Sequence, residues 1–162
     1  MDTKASLSMT DIANDYLIRH GVKKLPVDIF GLCKKEGFTM VPYSCKEARE
    51  MAELIGIAHR MDETDGLAVR VEEMAIIFWD NKKPKARQRA TVAHELAHDL
   101  LGDLHHGQYQ HVCQICDKPC DCKENIELKA DALAFNLLFP DPQDIKIKKR
   151  KEKEGTVYVK RD

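Results

Sequence analysis

Residues 94 to 98 read His-Glu-Leu-Ala-His. On an α-helix, positions i and i+4 project from one face, so His94 and His98 can grip one metal ion while Glu95, one residue round, reaches a water that the metal polarises. The chemistry such a trio serves is zinc-assisted hydrolysis, with Glu95 passing the proton. A plain helix-surface histidine pair would need neither the glutamate nor an apolar helix around it.

The helix is well marked. Val92, Ala93, Leu96, Ala97, Leu100 and Leu101 form an apolar stripe, Pro84 suits its start and Gly102 its exit. A hydrolytic zinc site takes three protein ligands and leaves a fourth position for water, so one ligand must come from further along the chain. One subclass of zinc peptidase places Gly three and His six residues after the second motif histidine. Those places hold Leu101 and Leu104 here, and Gly102 and His105 fall one position late. The other subclass brings a glutamate from a later helix, and Glu127 opens the periodic run Glu-Leu-Lys-Ala-Asp-Ala-Leu-Ala-Phe. Glu127 is therefore the expected third ligand, read against the plainer role of a first-turn carboxylate favoured by the helix dipole. Asp131, one turn on, could accept the spare ring N–H of a ligating histidine. His105, His106, Tyr109 and His111 are candidate donors to the oxyanion, or else polar loop side chains.

Between the two helices, Cys113, Cys116, Cys120 and Cys122 form a Cys-x2-Cys-x3-Cys-x-Cys array. Four thiolates in one short segment can wrap a single metal, so a second, structural zinc is expected here, with surface thiols, redox sensing and an iron–sulfur centre as alternatives. Cys33 and Cys45 are isolated, the former suited to a core.

The elements that must position this chemistry can be read in outline. Ser8 or Thr10 caps a first helix with Ile12, Ala13, Tyr16 and Leu17 inside, closed by Gly21. Pro26 starts a second, with Val27, Ile29, Phe30 and Cys33 inward, ending at Gly37 before an edge strand over 38–43. A third helix spans 46–54. Runs at 56–60, 67–71 and 74–79, separated by acidic turns, predict an antiparallel meander whose last strand lies beside the active-site cleft, where substrate could extend the sheet. The Glu127 helix runs from about Lys123 to Leu138 and Pro140 stops it. The tail could form a hairpin or a helix. The expected fold class is α+β: a small zincin-like domain with a short antiparallel sheet packed on the HExxH helix and a following Glu-bearing helix. Residues 1–162 are read as one domain, with a Cys-rich insertion at 105–122 and a short basic tail at 141–162.

At 162 residues, 43% hydrophobic, 33% charged and net charge -1, the composition is that of a soluble domain without a global field for nucleic acid or an acidic membrane. The stretch from Lys146 to Lys153 is locally basic, but aromatic residues suited to base stacking are sparse, so no direct nucleic-acid binding is expected. No secretion signal or membrane-length apolar run is evident, which predicts a cytoplasmic protein with reduced thiols. Oligomeric state cannot be read from these residues.

Two blocks carry a resemblance. Ile76-Ile77 leading into Arg87-Gln88-Arg89-Ala90-Thr91-Val92-Ala93-His94-Glu95-Leu96-Ala97-His98, and Glu127-x-x-Ala130-Asp131-x-x-Ala134-Phe135-x-x-Leu138-Phe139-Pro140, together resemble the ImmA/IrrE family of metallopeptidases over roughly residues 70 to 140. The resemblance implies a zinc-dependent metallo-endopeptidase, cytoplasmic and of bacterial, phage or mobile-element origin. Its implied substrate is a helix-turn-helix transcriptional repressor, whose cleavage relieves repression. The dense cysteine segment and the short lysine-rich C-terminus depart from the family pattern. A second reading keeps the zinc but makes the chain an anti-repressor that binds the repressor without proteolysis.

Overall fold

The computed structural model describes residues 7–104 and 122–146, the first three of the latter by backbone alone. Ser8 caps helix α1 (Met9–Arg19) through a capping box in which its hydroxyl accepts from the Asp11 N–H and Asp11 reaches back to the Ser8 backbone. Gly21, at φ +65, closes it. Helix α2 (Ile29–Lys35) starts at Asp28, whose carboxylate accepts from the Gly31 N–H. The expected start at Pro26 is thus corrected: a carboxylate that satisfies an orphan N–H marks a helix start more strongly than a nearby proline. Val27 is buried as expected, but from the turn before the helix.

Strand β1 (Phe38–Pro42), helix α3 (Ala48–Leu54) and a 3-10 turn (Ala58–Asp62) follow. That turn replaces the strand expected over 56–60. Gly56 at φ +77 ends α3 instead of opening an extended run, and Ile57 is drawn into the core. Strands β2 (Gly66–Val71) and β3 (Met74–Trp79) form the expected antiparallel hairpin through an acidic turn in which Glu72 takes φ 53. The sheet order is β1-β3-β2, with β1 parallel to β3 in the register Phe38↔Ala75 to Pro42↔Trp79. The result is a small mixed sheet: the last strand is central and β2 is an edge.

Alternation along β3 sends side chains to two cores. Ala75 and Ile77 face a core with Phe38, Ala68 and residues of α1, α2 and the two later helices, whereas Ile76 and Phe78 join Val41, Leu67, Val69 and residues of α3. A central strand buried on both faces reads as an apolar run, which is why Ala-Ile-Ile-Phe shows no polar alternation.

Helix α4 (Lys85–Leu100), carrying the metal motif, is pinned along its length. Trp79 Nε1 donates to Gln88 Oε1 at 3.0 Å, Gln88 Nε2 donates to the Lys83 carbonyl at 2.7 Å, Arg87 pairs with Asp65, and Arg89 donates to the Val27 carbonyl. Near its other end Asp99 receives the Arg70 guanidinium in a two-pronged pair, with Nη2 to Oδ2 at 2.8 Å, and that guanidinium also lies over the Phe38 ring. Helix α5 (Cys122–Leu138) packs on α4 and α1, burying Ala130, Leu133, Ala134 and Leu137. Pro140 follows its end as expected, and residues 142–146 form a short helical turn that buries Ile145.

The Arg70–Asp99 pair ties strand β2 to α4. Alanine at either position is expected to cost about 2 kcal/mol in urea unfolding, as for hydrogen bonds between charged groups, and the double variant little more than the worse single one. Fully additive losses would show that the two side chains do not act together.

Candidate metal centre

His94 and His98 sit one turn apart on α4, with rings edge to face and centroids 4.6 Å apart. Glu127 and Asp131 sit one turn apart on α5 and both reach His94: Glu127 Oε2 lies 3.1 Å from His94 Nε2, and Asp131 Oδ1 lies 2.8 Å from His94 Nδ1. The two helices pack together, with Ala93 and Ala97 buried on one and Ala130 and Ala134 on the other. Small side chains allow close helix approach, which lets two short carboxylates cross the gap.

The three expected ligands converge. His94 Nε2 and His98 Nε2 are 3.0 Å apart, and His98 Nε2 is 3.6 Å from Glu127 Oε2. Among the described residues these three form the group able to hold a metal ion. Each histidine presents its other nitrogen to a carboxylate, Asp131 for His94 and Asp103 for His98, the latter at 3.0 Å. With a metal bound, each Nδ1 would keep its proton toward its carboxylate and each Nε2 would turn a lone pair to the ion. Two ring nitrogens and a carboxylate oxygen this close call for a proton or a cation between them, and a metal ion would serve all three at once. Ligands about 2.0–2.2 Å from a tetrahedral zinc stand about 3.3 Å from each other, so the observed spacings fit that ion.

Glu95, on the adjoining part of α4, turns toward β2. The Ala68 backbone N–H donates to its carboxylate. Burial of that carboxyl pushes its pKa up, the neighbouring His94 and His98 and the Ala68 N–H pull it down, and Glu127 pushes it up again, with burial the largest influence. Close approach of β2 to α4 depends on Gly66: a Cβ there would meet Thr91 Cγ2, the Phe78 carbonyl at 3.2 Å and Glu95 Cγ at 3.6 Å. The strand beside Glu95 is therefore β2, correcting the expectation that the last strand would lie there. An edge strand has spare backbone groups to offer outward, whereas β3 is paired on both sides.

The sequence reading places His94, Glu95, His98, Glu127 and Asp131 at one site, and the structure brings them together. Asp103 was missed. Its signal was the Gly102-Asp103 pair just past the helix, where Gly102 at φ +79 turns the chain so that the Asp103 N–H returns to the His98 carbonyl at 2.8 Å. His105, His106, Tyr109, His111, Cys113, Cys116 and Cys120 lie outside the described residues, and Cys122 opens α5 with its side chain undescribed.

Alanine at His94 or His98 is expected to abolish zinc retention after gel filtration, whereas Glu95→Gln keeps it. Glu95 also makes a linked prediction. A carboxyl whose folded pKa exceeds its unfolded value supports the fold while protonated, and that support is lost as pH rises through the folded value. Glu95→Gln should thus raise the unfolding midpoint of the metal-free protein at about pH 8, with the gain vanishing near pH 4. A gain independent of pH would contradict burial as the cause.

Compared with known families, residues 55–157 match Peptidase_M78, the IrrE N-terminal-like domain. A comparison with curated proteins finds no match.

Proposed function

The chain belongs to the Peptidase_M78, IrrE N-terminal-like family, and on that premise we propose that it is a zinc-dependent endopeptidase cleaving a helix-turn-helix repressor. The observation that carries the catalytic part is the convergence of His94 Nε2, His98 Nε2 and Glu127 Oε2 beside the half-buried Glu95. The repressor as substrate follows from the family resemblance, as does a cytoplasmic site of action. No helix among the described residues is long and apolar enough to cross a membrane.

When bound, zinc supplies a Lewis acid that polarises the scissile carbonyl and acidifies water, bringing its pKa from about 15.7 toward 7. The residues of the chain do the rest. His94, His98 and Glu127 would hold the ion, and Asp131 and Asp103 would keep the two imidazoles in the Nδ1–H form. Glu95 accepts the proton of the attacking water and returns it to the departing amine. The Ala68 N–H orients the Glu95 carboxylate before attack, and the edge of β2 beside it offers backbone groups on which an extended peptide could lie as an added strand. Half-exposed Glu127 leaves the site open to solvent on the α5 side, in keeping with a macromolecular substrate.

A non-proteolytic anti-repressor would need the fold and the zinc but not a carboxylate set between the metal ligands and β2, so the placement of Glu95 supports catalysis over sequestration. A second zinc at Cys113, Cys116, Cys120 and Cys122 remains a proposal from their spacing. Two zinc ions per chain, falling to one when the four cysteines are replaced, would support it; one in both would end it.

If an adjacent reading frame encodes a small helix-turn-helix protein, the test is incubation of the zinc-loaded chain with that protein, with fragments mapped by mass. Cleavage at a defined bond is expected, and Glu95→Gln should slow it by at least about 100-fold at unchanged zinc content. Normal cleavage by Glu95→Gln would reject the mechanism. Relief of repression by that variant without fragments would favour sequestration.

A further inference from the structure

We propose that Asp103 is the dominant positioning residue of the metal centre, holding the His98 ring with its Nε2 lone pair aimed at the ion, and that Asp131 plays the lesser part on His94. The inference rests on the metal-centre reading above and concerns what prepares the site before the ion arrives.

The two carboxylates make similar bonds, 3.0 Å for Asp103 to His98 Nδ1 and 2.8 Å for Asp131 to His94 Nδ1, but in different surroundings. The Asp103 side chain is 17% exposed and its histidine 12%, whereas Asp131 is 68% exposed and its histidine 24%. Water competes for an exposed carboxylate and screens it, so such a pair contributes little, while a shielded pair keeps most of its strength.

Attachment differs too. Asp103 meets His98 twice, through its side chain at the ring and through its own N–H at the His98 carbonyl, 2.8 Å away. The Gly102 N–H bonds the Asp99 carbonyl at 3.0 Å, completing the two-bond helix closure, and Leu104 packs against the main core. The Asp103 backbone is thus fixed on both sides before any metal binds. Asp131 must instead reach from one helix to another, and its hold depends on how α5 sits against α4. An imidazole already held in its ligating tautomer and rotation loses less entropy on binding a metal than one that must be ordered by it.

The experiment measures zinc affinity by competition with a chromophoric chelator for the unaltered chain, Asp103→Ala, Asp103→Asn and Asp131→Ala, each checked for fold by far-ultraviolet circular dichroism without metal. Asp103→Ala is expected to weaken binding by roughly 10- to 100-fold, and Asp131→Ala by less than about tenfold. Asp103→Asn keeps an oxygen that can accept from Nδ1–H and should recover much of the loss, which a purely electrostatic or structural role would not predict. In the zinc-loaded chain, nitrogen-resolved NMR should find His98 protonated at Nδ1.

Unchanged affinity in Asp103→Ala, a larger loss in Asp131→Ala, or His98 protonated at Nε2 would overturn the proposal while leaving the metal centre intact. Failure of the unaltered chain to bind zinc would overturn both. If Asp103→Ala does not fold, the asparagine variant and the NMR assignment decide: near-native affinity with His98 protonated at Nδ1 supports the role, and affinity as weak as that of a histidine-to-alanine variant overturns it.

Discussion

Two imidazole nitrogens and a carboxylate oxygen are held within 3.0 to 3.6 Å of one another, and the rest of this molecule can be understood as what keeps them there. A lone turn of helix can align His94 with His98, but Glu127 arrives from 29 residues beyond His98 only because α5 lies against α4. Alanines are buried on both of those helices, and small side chains allow close approach. Substituting larger side chains there would widen the gap and separate the third ligand from the first two, whatever their identities.

The sheet serves the same end. Its central strand is buried on both faces, which gives α4 a rigid floor, and the ties at Gln88, Arg89 and Asp99 fasten that helix to the sheet and to the turn before α2. The arginine-rich approach to the motif is accordingly structural: Arg87 pairs with Asp65 and Arg89 bonds a backbone carbonyl. A partly desolvated carboxylate at Glu95 works against stability once it is ionised, and a glycine at position 66 gives up a side chain that could have packed. Both are costs accepted at a functional site and offset by the surrounding core.

Local pattern was enough for much of this. The capped first helix, the 74–79 strand, the metal-motif helix and the α5 helix all follow from apolar period, caps and stop signals, and the ligand trio follows from spacing plus a second periodic helix. The expectations that changed were those settled by competition between local signals or by distant partners. Pro26 gave way to the Asp28 cap, and the 56–60 run became a 3-10 turn because Gly56 ended a helix and Ile57 found a core. The antiparallel meander became a mixed sheet because β1 pairs with a strand more than thirty residues away.

The chain's own order of residues determined which groups could bind a metal and move a proton, since helical periodicity fixes which side chains share a face and the chemistry of His and Glu does not depend on context. What only the tertiary structure decided was how those groups are oriented: that Asp103 returns to His98 through a left-handed glycine, that β2 rather than β3 stands beside Glu95, and that an Ala68 N–H holds the Glu95 carboxylate. These depend on the direction a turn takes and on which strand finds an edge, quantities set by packing between distant segments and carried by no local run of residues.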